Sequence, residues 1–239
     1  MRNVIYKSIF GGYDNLPSEP SAELAKEFRF ILITGQPVKV AGWYNIVKDC
    51  VDPITANREC KFSPWNYFSC DHSFYLDGHV SVGENFIEFS KDLINSEHVF
   101  SVLKHRGGGS IADELFRCLN NGKLNKDGFL RFLSLGTDFN KVAVECGFIY
   151  RKHNCKQLRQ QANNWMDLFR NIAPRDQLLV YESFEQTGII LNQIETSFNS
   201  PEDFLRVGIH RNGRIKNIES RARKAYRVLR SGLLIDHKN

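Results

Sequence analysis

The chain has 239 residues, 42% hydrophobic and 25% charged, with a formal charge of +5. That balance is ordinary for a folded globular protein and excludes disordered and collagen-like classes. No apolar run approaches the ~18 residues of a membrane span, and the six cysteines form no Cys-x-x-Cys pair that would signal a zinc cluster or a thioredoxin-type motif.

In chain order, residues 4–10 (VIYKSIF) predict a buried first strand, left by a Gly11-Gly12-Tyr13-Asp14 loop. The stretch 16–24, with two prolines and small polar residues, predicts an exposed connection. Strands follow at 28–34 and 43–49, then a segment at 54–68 that starts helical and breaks at Pro64. Phe74, Tyr75 and Leu76 predict a buried strand, and 84–95 carries apolar residues at helical spacing. A strand at 98–104 leads through Gly107-Gly108-Gly109-Ser110 into a helix at 111–119, with Ser110 as its cap. Next come a short helix at 129–135, a strand pair or long bent strand at 142–152, helices at 157–172 and 176–186, and a late strand at 189–194. Strands apolar on both faces and alternating with helices predict an α/β sandwich with a largely parallel sheet. The start of the chain lacks the apolar core and cleavage site of a signal peptide, so a cytoplasmic protein with reduced cysteines is expected.

Two stretches point to chemistry. Asp77-Gly78-His79 closes a strand with two metal-capable side chains two residues apart, which share a face if the segment is extended. His210, Gly213 and Lys216 offer an imidazole, a backbone that can approach an anion, and an ammonium, a set suited to a divalent ion on a diphosphate. Between residues 206 and 230, nine Lys and Arg side chains stand against Glu219 alone, and Arg221, Arg223, Lys224, Arg227 and Arg230 fall on a predicted helix at 218–229. That asymmetry points to a polyanion such as DNA.

The H-x-x-G-x-x-K spacing resembles the late metal-and-diphosphate motif of glycogenin-like, retaining GT-A glycosyltransferases. YLDGHVSV sits where that family's Asp-x-Asp motif falls, with histidine in place of the second aspartate. ANRECKFSPWNYF resembles the family's arginine-bearing helix, ECGFIYRKH its acceptor-side strand, and RDQLLVY its Asp-Gln segment. SIFGGYDNL and RDQL are also similar to glycosyltransferase-like domains of bacteria and plants. The resemblance implies a GT-A-like nucleotide-sugar-binding sandwich over residues 1–217, with a basic helical extension at 218–239. It also implies Mn²⁺ or Mg²⁺ on Asp77, His79 and His210, and a UDP-sugar donor on Tyr13, Arg58, Lys61, Gly213 and Lys216. Asp176 or Gln177 would stand beside the anomeric carbon of a retaining transferase. Small phage transferases that glycosylate hydroxymethylated cytosines share the layout, which makes DNA the expected acceptor, bound by the basic side chains, and the host cytoplasm the expected location if the source is viral. A cell-surface polysaccharide acceptor and a metal-dependent nuclease or phosphodiesterase are the competing readings.

Overall fold

A computed structural model of the chain describes residues 3–83, 85–195 and 203–208. The chain opens with β1 (Asn3–Ile9), α1 (Ala22–Glu27), β2 (Phe28–Thr34), β3 (Trp43–Val47) and α2 (Pro53–Phe62). It continues through β4 (His72–Leu76), β5 (Val80–Val82), α3 (Phe86–Asn95), β6 (Phe100–Lys104), α4 (Ile111–Asn120) and α5 (Lys126–Leu133). The last elements are β7 (Val144–Lys152), α6 (Gln157–Asn171), α7 (Asp176–Ser183), β8 (Asn192–Ile194) and β9 (Leu205–Val207).

Seven strands form the central sheet in the order β3-β2-β1-β4-β7-β6-β8, and β5 pairs with β9 in a small separate ladder. β7 is antiparallel to both of its neighbours; every other neighbouring pair in the sheet is parallel. The alternation of strand side chains explains the two-sided burial. Val4 and Tyr6 join a core with side chains of α2, α4, α6 and α7. Ile5, between them, joins a second core with Phe86 and Leu93 of α3. A sheet covered on both faces therefore reads as near-continuous apolar runs, and the expected mostly parallel α/β sandwich is what forms.

α2 is the element that shapes the site. Asp52 caps it, its carboxylate accepting from the backbone N–H of Ile54 (3.3 Å) and Thr55 (2.9 Å), with Pro53 opening the first turn. The helix ends at Phe62, ahead of Pro64. Its Phe62 ring stacks on the Trp165 indole of α6 at 4.1 Å, so the helix is clamped between the sheet and α6.

Some expectations need correction. Within 16–24, foreseen as a plain connection, residue 22 already starts α1, where Ser21 accepts from the Leu24 N–H at 3.3 Å; this six-residue helix buries no side chain and so leaves no amphipathic signature. α5 begins three residues before expectation because Asn125 caps it, accepting from the Gly128 N–H at 2.8 Å. The segment at 142–152 is one strand from Val144, whose pairing with β6 slips between Val102 and Leu103. Of 189–194 only Asn192–Ile194 pairs with the sheet, and α7 stops at Ser183. Asp77-Gly78-His79 is not extended: the Val80 N–H bonds the Asp77 carbonyl at 2.9 Å, closing a turn, so the argument that both side chains share a strand face does not hold. The basic helix foreseen at 218–229 and the extension at 218–239 lie outside the described residues. Among the described residues, no helix is long and apolar enough to cross a membrane, and all six cysteines are free thiols.

Candidate active site

The carboxyl ends of β1, β4 and β6 and the amino end of β7 meet along one edge of the sheet, and a cleft of about 910 Å³ opens there. Open α/β sheets bind ligands beyond this edge. Its lining includes Tyr13, Arg58, Lys61, Asp77, Gly78, His79, Asp176 and Gln177. Residues chosen from four separate stretches of sequence therefore share one cavity.

At the centre is Lys61, with its side chain 1% exposed. Its Nζ lies 2.6 Å from Asp176 Oδ2 and 3.4 Å from Asp77 Oδ1. Arg58, one helical turn earlier on α2, reaches Asp176 Oδ1 at 3.5 Å. Asn57 steadies the same turn: its Oδ1 accepts from Arg58 at 2.6 Å while its Nδ2 donates to the Ser8 carbonyl at 2.7 Å. The Asp176 carboxylate opens α7, where an acid suits the positive end of the helix. The Trp165 indole N–H donates to its backbone carbonyl at 3.1 Å.

The charges settle one another. Burial alone would raise the Asp176 carboxyl, but Arg58 and Lys61 outweigh it and hold the group well below the usual carboxylate range. Burial likewise works against an ionised Asp77, yet Lys61 and Arg58 prevail over burial and over the nearby Asp176, keeping its pKa lowered. Asp77 Oδ1 also accepts the Tyr75 hydroxyl at 2.8 Å. Burial and the Asp77 charge push that phenol well above its ordinary pKa, so it stays a donor.

A second ammonium supports the turn from below. Lys7, 3% exposed in the middle of β1, donates to the Gly78 carbonyl at 3.0 Å and to the Val80 carbonyl. Burial lowers its pKa to about 8, against the pull of Asp14 and Asp77. Gly78 is required by close approach, since a Cβ there would lie 2.3 Å from Asp14 Oδ2. On the far side, the Gly208 N–H donates to the His79 carbonyl at 2.7 Å, and the Gly83 N–H to Phe204 at 2.8 Å. The β5–β9 ladder thus brings residues 205–208 alongside the turn.

Lys7, Asp14, Asn57 and Tyr75 were not singled out from sequence. Lys7 left a signal, a lone ammonium inside an apolar strand; the others become visible only through long-range contacts. His210, Gly213, Lys216, Arg221, Arg223, Lys224, Arg227 and Arg230 lie outside the described residues. For a divalent ion, the described residues offer Asp77 and His79 at the turn, with the Asp14 carboxylate against Gly78. Among the described residues no group of three or more His, Cys, Asp or Glu side chains suited to a metal comes together.

No protein-family model and no curated protein sequence matches the chain. Solved structures do. The apo structure of the bifunctional glycosyltransferase WbbM superposes with a TM-score of 0.50 at 11% identity, over 81% of this chain and 38% of that one. The glycosyltransferase GlyE of Streptococcus pneumoniae TIGR4 gives a TM-score of 0.41 at 10% identity, over 81% of this chain and 45% of that one. A CMP:2-keto-3-deoxy-manno-octonic acid synthetase complexed with CTP gives 0.45 at 12% identity, over 95% of this chain and all of that one. The chain therefore spans less than half the length of the two glycosyltransferase structures. At these identities the likeness is one of fold: a GT-A-like α/β sandwich around a mostly parallel seven-stranded sheet.

Proposed function

We propose that this chain is a glycosyltransferase that moves a sugar from a nucleoside diphosphate sugar, with UDP as the favoured nucleotide, to a hydroxyl acceptor. The observation that carries the reading is the Lys61-centred group: two cations and two carboxylates at the carboxyl edge of a GT-A-like sheet, in a cleft of nucleotide-sugar size. Breaking a sugar–phosphate bond builds negative charge on the departing diphosphate. Arg58 and Lys61 are pre-positioned cations that stabilise it without reorganising during the reaction.

The ion pairs divide the labour between the two residues expected at the anomeric carbon. Asp176 is committed to Lys61 and Arg58, so its part is to position them. Gln177, beside it on the cleft wall, is the side chain left to face the reacting carbon of a retaining transferase. Tyr13, 46% exposed on the cleft lining, is the aromatic side chain assigned to the nucleotide in this reading.

A divalent ion, Mn²⁺ or Mg²⁺, would be held by Asp77 and His79 together with His210, and would neutralise phosphate charge when bound. Chain connectivity supports the third ligand. The Gly208 N–H is tied to the His79 carbonyl, which keeps the described end of the chain beside the turn. Lys216 and Gly213 would then follow onto the diphosphate. The DNA acceptor rests on the charge of the basic stretch alone, with residues 1–217 as the catalytic unit and 218–239 as the docking extension.

Calorimetry with UDP, with and without Mn²⁺, followed by mass spectrometry of products over a panel of UDP-sugars, tests the reading. Acceptor arms would hold hydroxymethylcytosine DNA, unmodified DNA and oligosaccharides. We expect metal-linked UDP binding and sugar transfer. DNA binding, if it is the acceptor, should weaken with salt at a log–log slope of about −0.9 per phosphate contact. Cleavage of DNA without transfer would replace this reading with the nuclease.

A further inference from the structure

A second polar cluster lines the same cleft beyond the Lys61 group. His105, Arg106, Glu114, Arg117 and Glu145 all face the cavity, from the end of β6, from α4 and from the start of β7. Glu114 and Glu145 are 6% and 9% exposed, yet both come near one imidazole nitrogen: His105 Nε2 lies 3.6 Å from Glu114 Oε2 and 3.8 Å from Glu145 Oε1. The other ring nitrogen, Nδ1, accepts from the Gly107 N–H at 3.1 Å, and Arg117 Nη1 lies 3.0 Å from Nδ1 and 3.3 Å from Nε2. The Gly107 donor on Nδ1 and the two carboxylates near Nε2 assign the ring proton to Nε2. Burial lowers the His105 pKa against the pull of Glu145. Arg106, with its side chain 48% exposed, closes the group through its Nε, 3.1 Å from Glu145 Oε1.

The backbone is shaped to put Glu145 there. Val102 pairs with Ile149, but the next residue, Leu103, pairs with Glu145, so residues 146–148 drop out of the β6 ladder. Phe148 pairs with β4 instead, and the Gly147 carbonyl accepts from the Asp77 N–H at 2.8 Å. This bulge swings the carboxylate of Glu145 to the cleft edge beside His105, the use to which bulges near active sites are put.

Strand order sets the distance between the two clusters. Along the edge, β1 and β4 come first, then β7 and β6. Neighbouring strands are about 4.8 Å apart, so the His105 group lies roughly 10 Å beyond Asp77. A diphosphate over β1 and β4 therefore places its attached sugar over β7 and β6. A sugar hydroxyl both donates and accepts. The cluster offers carboxylates to receive its proton and Arg106 and His105 Nε2–H to supply one. Glu114 and Glu145 are paired with Arg117 and Arg106, so the cluster has no excess of positive charge to draw a phosphate.

We propose that His105, Arg106, Glu114 and Glu145 form a recognition subsite for two neighbouring ring hydroxyls of the transferred sugar, and so determine which nucleotide sugar this chain accepts. The inference rests on the nucleotide-sugar reading above. The test compares wild type with Glu145→Gln and with Arg106→Met, the latter at an exposed position that does not endanger folding. Calorimetric affinities are measured for UDP, UDP-glucose, UDP-galactose, UDP-N-acetylglucosamine and UDP-xylose, together with slow hydrolysis of each sugar nucleotide, which needs no acceptor. We expect both variants to keep wild-type affinity for UDP. The wild-type preference among the four sugars should shrink about 10- to 100-fold, the scale of a lost hydrogen bond to a charged group. An unchanged preference, or parallel loss of UDP and UDP-sugar binding, would overturn the subsite. If Glu145→Gln fails to fold, Arg106→Met decides alone. Wild-type protein that binds UDP but shows no sugar preference removes the subsite only; wild-type protein that binds no nucleoside diphosphate removes the nucleotide-sugar reading and the subsite with it.

Discussion

Replacing Lys61 with methionine keeps the volume of the side chain and deletes its charge. Asp176, 5% exposed, then loses the ammonium at 2.6 Å and keeps only Arg58 at 3.5 Å. Breaking a buried ion pair from one side costs about 3–5 kcal/mol, because a desolvated charge is left behind. The remaining guanidinium places Lys61→Met near the lower end, about 3 kcal/mol. For a chain of this length that corresponds to a fall in melting temperature of about 6–12 °C.

The effect carries a pH signature. The folded pKa of Asp176 is held far below its ordinary 3.8, so in wild type this carboxylate stabilises the fold fully above that value, and the contribution is lost as pH falls from there through the folded pKa. Without Lys61 the carboxyl protonates more readily in the folded state, so the gap between wild type and variant narrows as pH falls into the carboxylate range. Chemical denaturation of both proteins from pH 7 to pH 4 measures it. The double variant Lys61→Met/Asp176→Asn should recover part of the loss, since the carboxylate stranded by the first change is removed with the second. A variant within about 1 kcal/mol of wild type at pH 7, or a gap that does not change with pH, would show that the Lys61–Asp176 pair is not the electrostatic hub described here.

Asp77→Asn keeps the shape that accepts the Tyr75 hydroxyl but removes the charge, so sugar transfer should fall at least about 100-fold with stability changed by no more than about 1 kcal/mol; an active variant, or equal loss of folded protein, speaks against a catalytic part. His153 is half-buried beside Ser73 (2.8 Å), and desolvation, then Arg151 and Arg159, lower its pKa from 6.5 to about 4. The unfolded chain therefore binds the extra proton between those values, and up to about 3 kcal/mol of stability should disappear as pH falls from 6.5 to 4. His153→Gln should flatten that slope, and pH titration of the unfolding free energy would reveal a failure to do so. Gly83→Ala would set a Cβ 1.8 Å from the Asp203 carbonyl oxygen, a backbone atom that cannot yield. It should unseat β9 from β5 at a cost of about 1–3 kcal/mol and weaken metal-linked UDP affinity; a normal melt with normal affinity would argue that the ladder does not support the site.

Local patterning carried much of this molecule. The apolar runs in β1, β2 and β4 predict a doubly covered parallel sheet because burial on both faces needs apolar residues at both parities of the strand. Ser110 before α4 marks a helix start because capping is a contact between near neighbours in sequence. Asp77 and His79 drew attention at the end of a strand, and Arg58, Lys61, Asp176 and Gln177 through the resemblance to GT-A glycosyltransferases; all six line one cleft.

What the chain order could not show is which of them touch. Lys61 and Asp176 are 115 residues apart and meet only because α2 and α7 pack over the same sheet edge. Lys7 reads as a misplaced charge in an apolar strand until the carbonyls of Gly78 and Val80 are brought over it. Glu145 and His105 come together through a slip in the β6–β7 pairing, which is set by the partner strand and not by the local side-chain pattern. The Asp77-Gly78-His79 segment is a turn rather than an extended end, since its backbone bonds are completed by Lys7 and Gly208 from remote parts of the chain. Periodicity and capping are local and legible in a sequence; ion pairs and bulges are decided by which distant backbone arrives opposite, and that belongs to the tertiary structure alone.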